Sequence, residues 1–173
     1  MSVEIARRVQ VAVSDAVVRQ AVMGAMRHGR AKGDVSVAFV GPARMRVLNR
    51  TYHEEDRVTD VLAFPAGKRE ERKTQNAKRR IVRQNLFLPL PRGGGATCPG
   101  PRVGRGGGDF GELVICPSYV NAQAKRAGEP FRRELTRVLV HGTLHLLGHD
   151  HATPREAEKM FAVQERLVHS IAV

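Results

Sequence analysis

Apolar and polar residues alternate along "DVSVAFVG", Asp34 to Gly41, with the period of two that marks a strand, and the run stops at a glycine. "TDVLAFP" (59 to 65) and "FGELVICP" (110 to 117) have the same character, each closed by a proline. "VEIARRVQVAV" (3 to 13) alternates in part and reads as a first strand. The period lengthens elsewhere. "SDAVVRQAVMGAMRHG" starts at Ser14, a capping residue, and ends at Gly29, as a helix does. Pro42 opens a short helix, "PARMRVLNRTYH". "SYVNAQAKRAG" and "PFRRELTRVLVHGTLHLLG" read as two helices separated at Gly128 and Pro130, and a last helix begins at "TPRE", where Thr153 and Glu156 form a capping box. Three or four strands among five helices, without a regular strand-helix repeat, predict an α+β fold with a small mixed β-sheet.

The 173 residues suit a single domain, residues 1–173, able to close one core without staples. Two cysteines, Cys98 and Cys116, make no disulfide framework. No apolar run is long enough to cross a bilayer and the first residues do not read as a signal peptide, so the expectation is a cytoplasmic protein without a membrane. The net charge of +12 is uneven. Residues 67–107 carry eleven Lys and Arg against two Glu, a surplus of nine, which leaves +3 for everything else. This stretch includes most of "PRGGGATCPGPRVGRGGG" and has no periodic face to bury, so a disordered, basic, Gly/Pro-rich insertion is expected there. Its composition fits either a solvated excursion or an arginine-rich arm for RNA phosphates.

Four of the seven histidines fall in "VHGTLHLLGHDH", Val140 to His151. His141 and His145, four apart on a helix, share one face. Gly148 sits where a left-handed residue would end that helix and return His151 toward the same point. Three imidazoles with an open fourth position describe a catalytic zinc site, in which bound water loses its proton near pH 7. The spacing H-x-x-x-H-x-x-G-x-x-H is that of metzincin proteases, but position 142 is Gly where those enzymes place their general base, Glu. Hydrolysis of an RNA phosphodiester suits such a carboxylate-free site better than peptide cleavage. His149 reads as an outer or surface group and Asp150 as a partner for a ligand's second ring nitrogen or a cap. His28 and His169 read as solvated, and Met160 as core.

"HGTLHLLGHDH" closely resembles the H-G-x-L-H-L-x-G-Y-D-H signature of the YbeY family of bacterial zinc-dependent endoribonucleases. "LNRTYHEEDRVTDVLAFP" (48 to 65) is similar to that family's second signature, and "GELVICP" to the strand that follows it. The likeness runs over about residues 35–66 and 109–160. It implies a metalloprotease-like fold of the YbeY type, one Zn2+ on His141, His145 and His151, cleavage of single-stranded ribosomal RNA in 16S 3′-end maturation and ribosome quality control, and the ribosome or small-subunit proteins as partners.

Three positions depart from the family pattern. His53 replaces the arginine held to contact phosphate, and Arg57 or a protonated His53 is a substitute. His149 and Glu112 stand where the family has Tyr and Asp, and Glu112 is a candidate for orienting water. The catalytic candidates are therefore His53, Arg57 and Glu112. A metzincin-like metallopeptidase and a non-catalytic ribosome assembly factor with a structural metal are the alternative readings.

Overall fold

The computed structural model describes residues 1–66 and 109–171; the insertion expected at 67–107, with Cys98, lies outside them. In chain order the elements are β1 (Val3–Arg7), α1 (Asp15–His28), β2 (Asp34–Phe39), α2 (Pro42–His53), β3 (Val61–Pro65), β4 (Asp109–Ile115), α3 (Pro117–Ala127), α4 (Phe131–Leu146) and α5 (Pro154–Ile171). The strands form one sheet in the order β1-β2-β4-β3. β1 and β4 both run parallel to β2, while β3 runs antiparallel to β4 along the edge, with Leu62 opposite Val114 and Phe64 opposite Glu112. The mixed α+β architecture expected from the periodicities is present.

Strand alternation sends successive side chains to opposite faces of the sheet. Val35, Val37, Phe39, Leu113 and Ile115 face the main core, with Val18, Val22 and Met26 of α1, Leu135 and Leu139 of α4, and Met160 and Val168 of α5. Ala38, Val114 and Cys116 belong to a smaller cluster, closed by Met45 and Leu48 of α2. The helices are thus unequally divided, α2 against α1, α4 and α5.

Two local expectations need correction. The first strand ends at Arg7 rather than running on to Val13, because the Arg7 guanidinium donates to the carbonyls of Val11 and Val13 and to Asp15, turning the chain into α1. Ser14 occupies the N-cap position of α1 but its side chain makes no capping hydrogen bond. The box at the start of α5 does form: Thr153 Oγ1 donates to Glu156 Oε2 at 2.8 Å and accepts from the Glu156 N–H at 3.3 Å. Met160 is fully buried, and His28 and His169 are exposed, as expected.

Candidate metal centre

The position of α4 is set by close approach to the edge of the sheet. A side chain at Gly142 would place its Cβ 2.9 Å from Leu113 Cδ2 and 3.0 Å from Val61 Cγ2, so glycine is what lets this turn of the helix lie on β3 and β4. A glutamate there would collide with the sheet. The protease-type general base is therefore absent from the sequence and also sterically unwelcome at that position.

With Gly142 against the sheet, His141 and His145 stand half-buried on the adjoining side of α4. The helix then stops abruptly. Gly148 takes a left-handed φ of +88°, its N–H donates to the His145 carbonyl and the His149 N–H donates to the Leu144 carbonyl, both at 3.0 Å. This is the Schellman pattern that satisfies the last carbonyls of a helix while reversing the chain. Three residues later the exposed His151 returns to the helix end, its backbone N–H held by Asp150 Oδ1 at 2.8 Å.

The three rings converge. Centroids lie 4.7 Å apart for His141 and His145, 5.0 Å for His145 and His151, and 5.5 Å for His141 and His151. The Nε2 atoms of His141 and His145 are 3.1 Å apart, and one ligating nitrogen from each of the three lies within 4.8 Å of the others. Imidazole nitrogens that share a tetrahedral zinc, at bonds of about 2.0–2.1 Å, sit roughly 3.4 Å from one another. The first pair is already near that spacing and the third ring lies within a small side-chain adjustment of it, so the trio fits a single metal ion.

The protonation state also fits. His141 Nδ1 lies 2.9 Å from Gln164 Oε1 on α5, and Gln164 Nε2 donates to Glu165 Oε1 at 3.0 Å. The amide orientation makes Oε1 the acceptor, so Nδ1 of His141 carries the proton and Nε2 presents its lone pair. Burial pushes the His141 imidazole below its ordinary range, outweighing the opposing hydrogen bond that its ring donates to Gln164. His145 is also lowered, first by burial and then by its two histidine neighbours. Neutral imidazole is the form that ligates a metal.

The histidines occupy one end of an open cleft of about 730 Å³, walled opposite by β3 and by the segment from His53 to Asp60. That segment is pinned from below. Buried Asn49 donates to the Arg57 carbonyl at 3.0 Å, and Arg46 clamps Asp56 at 2.7 and 2.9 Å. Asp60 faces the cleft while its carboxylate takes the Val61 N–H at 2.8 Å and the Gln123 amide at 3.3 Å.

A sequence model described as Endoribonuclease YbeY matches residues 3–172. The chain belongs to the YbeY family. Proteins named Endoribonuclease YbeY from Myxococcus xanthus and Rhodococcus jostii are 37% and 33% identical to it over 135 residues, 78% of this chain. The matches cover only 35% and 61% of those two relatives, so the chain aligns with a part of each. The relative from Staphylococcus aureus is 31% identical over 137 residues, 72% of its length. The solution structure of TM1509 from Thermotoga maritima shares the fold, with a TM-score of 0.55 over 98% of this chain and 88% of that one, at 21% identity.

Among the described residues, the YbeY candidates named from sequence separate into three groups. His141, His145 and His151 are together. His53 lines the same cleft from the opposite wall. Arg57 is outside it, its side chain 73% exposed and paired with Glu55 at 2.8 Å. Glu112 is 3% exposed, on the face of β4 it shares with Val114, opposite to the one on which α4 packs, and it is not part of the cleft wall. Of the two readings of Asp150, a ring-nitrogen partner or a cap, the structure shows its carboxylate accepting a backbone N–H, and Gln164 is the partner of the second ring nitrogen of His141. His149 lines the cleft without joining the ligand trio.

Asn49, Asp60 and Gln164 were not singled out by the sequence. Asn49 and Asp60 do lie within the signature-like stretch 48–65, and Gln164 is a polar residue in the buried stripe Met160, Gln164, Val168 of α5.

Proposed function

We propose that this protein is a zinc-dependent endoribonuclease that cuts single-stranded ribosomal RNA during 16S 3′-end maturation, working with the small ribosomal subunit in the cytoplasm. The reading rests on membership of the YbeY family together with one observation: three imidazoles converge at the end of an open cleft. Zinc held by His141, His145 and His151 would supply a nucleophilic water at neutral pH and neutralise charge on the phosphate.

The chain's own groups have separable tasks. Gln164 holds the His141 tautomer that can ligate. His53 stands on the cleft wall where the family signature carries arginine, and in its protonated form donates to a phosphate oxygen. Asn49, through the Arg57 carbonyl, keeps that wall in place. Arg57 would reach the substrate only after leaving Glu55.

No helix among the described residues is long and apolar enough to cross a membrane. The free, buried Cys116 suits a reducing compartment. The crowding around Gly142 weighs against a peptidase.

The test offers the zinc-loaded protein a single-stranded oligonucleotide with the 16S 3′-end sequence, its duplex form, casein, and purified small ribosomal subunits to which binding is measured. Cleavage of the single strand alone is expected. Casein cleavage without RNA cleavage would replace this reading with a peptidase. Ribosome association without cleavage of either would replace it with an assembly factor.

A further inference from the structure

Phe161 is out of place on α5. The buried stripe of that helix is Met160, Gln164, Val168 and Ile171, yet Phe161, one step outside it, is 45% exposed. Among the described residues the only other large apolar side chain so exposed is Met1, at the chain start. An exposed phenyl ring on an otherwise polar helix surface forgoes the stabilisation of burial.

Its ring is placed with respect to the candidate metal centre. Phe161 lies 5.9 Å from the His151 centroid at an interplanar angle of 23°, and 6.4 Å from the His141 centroid at 19°. These are offset-stacked arrangements within ordinary aromatic range. The phenyl ring thus lies nearly parallel to both imidazoles on the α5 side of the centre, and it is not part of the cleft lining, which runs from the histidines to His53 and β3. A polymer crossing the histidines would leave the cleft beside Phe161.

We infer that Phe161 is a stacking platform for an unpaired nucleobase of the RNA, one belonging to a nucleotide next to the phosphate held at the histidines. This rests on the endoribonuclease reading and deepens it by naming what the exit side of the site holds. Every base has a π-face, so such a platform binds without regard to sequence, and a base already stacked within a duplex is not free to use it. A simple shield for the histidines would need apolar bulk; a flat ring nearly parallel to its neighbours adds a surface that bulk alone does not provide.

The experiment measures binding of zinc-loaded protein to a single-stranded RNA oligonucleotide, and to versions abasic at one position in turn. Wild type, Phe161→Leu and Phe161→Trp are compared, with metal content determined for each. Leucine keeps the bulk and loses the face. The expected result is one position at which base removal weakens wild-type binding about tenfold, the scale of a base on an aromatic side chain. Phe161→Leu should bind the intact oligonucleotide weaker by a similar factor and be indifferent to base removal at that position, Phe161→Trp should behave as wild type, and all three should hold equal metal.

Equal weakening of Phe161→Leu on intact and abasic RNA, loss of metal in that variant, unaltered binding, or a wild type that does not bind RNA would each overturn the inference. Failure of the underlying reading looks different. Wild type would then bind with the base dependence described and still leave the RNA uncut.

Discussion

His141 and Gln164, 23 residues apart, meet with 2.9 Å between the ring Nδ1 and the amide oxygen, and that contact decides which ring nitrogen faces the centre. Outer partners of metal-bound histidines contribute to affinity without touching the ion. We predict that Gln164→Leu folds normally but holds zinc roughly 10- to 100-fold more weakly, whereas Gln164→Glu, which keeps an acceptor, loses much less. Competition with a chromogenic chelator measures this. Equal affinities for Leu and wild type would show that the contact is incidental.

Gly142 carries a steric prediction. An added methyl meets Leu113 and Val61 at 2.9 and 3.0 Å, so Gly142→Ala should cost about 1–3 kcal/mol through overpacking of the α4 seam. Urea unfolding reads this directly. Gly142→Glu, which restores the protease spacing, should be less stable still and gain no peptidase activity.

Gly148 carries a backbone prediction. At φ +88° an L-residue pays about 1–2 kcal/mol, and nothing lies within 4 Å of an added Cβ, so Gly148→Ala isolates the conformational term. The expected signature is that stability loss together with weaker zinc binding, because the same turn returns His151. Unchanged stability would mean that the turn can be made another way.

Glu165 links the centre to acid stability. Its hydrogen bond with Arg137 holds the carboxyl below its usual range, with burial opposing and the Gln164 amide assisting. A folded value below the unfolded one means that the pair's contribution is complete above about pH 4.5 and is lost as pH falls through the folded value. The pair is partly exposed, so its size at neutral pH should be about 0.2–1 kcal/mol. Glu165→Gln should be less stable than wild type by that amount at pH 7 and should converge with it in acid, in parallel urea titrations. A constant gap at all pH values would contradict the assignment.

Much of this site was written in local pattern. Four-residue spacing put His141 and His145 on one face, and a glycine at 148 announced the turn that brings His151 back. Sheet order was not local: β4 inserts between β2 and β3, a pairing settled by long-range packing rather than by any one segment's periodicity. Glu112 illustrates the consequence. Alternation along "FGELVIC" groups it with Val114 and Cys116, but which face of β4 meets the histidine helix is a tertiary fact, and it proved to be the other one. Asn49 and Asp60 look like ordinary polar residues until α2 and β3 are assembled around the cleft. Arg57, outside the cleft lining, is paired with a neighbour two residues distant, Glu55, in the same turn whose Arg57 carbonyl Asn49 holds.

The most direct test of the central claim is RNA cleavage by the purified protein, with metal content determined on the same samples before chelation, after chelation, and after zinc is returned. The account predicts one zinc per chain, cleavage abolished with its removal and restored with its return, and neither zinc nor cleavage in His145→Ala. Undiminished cleavage by metal-free protein, or by metal-free His145→Ala, would contradict it.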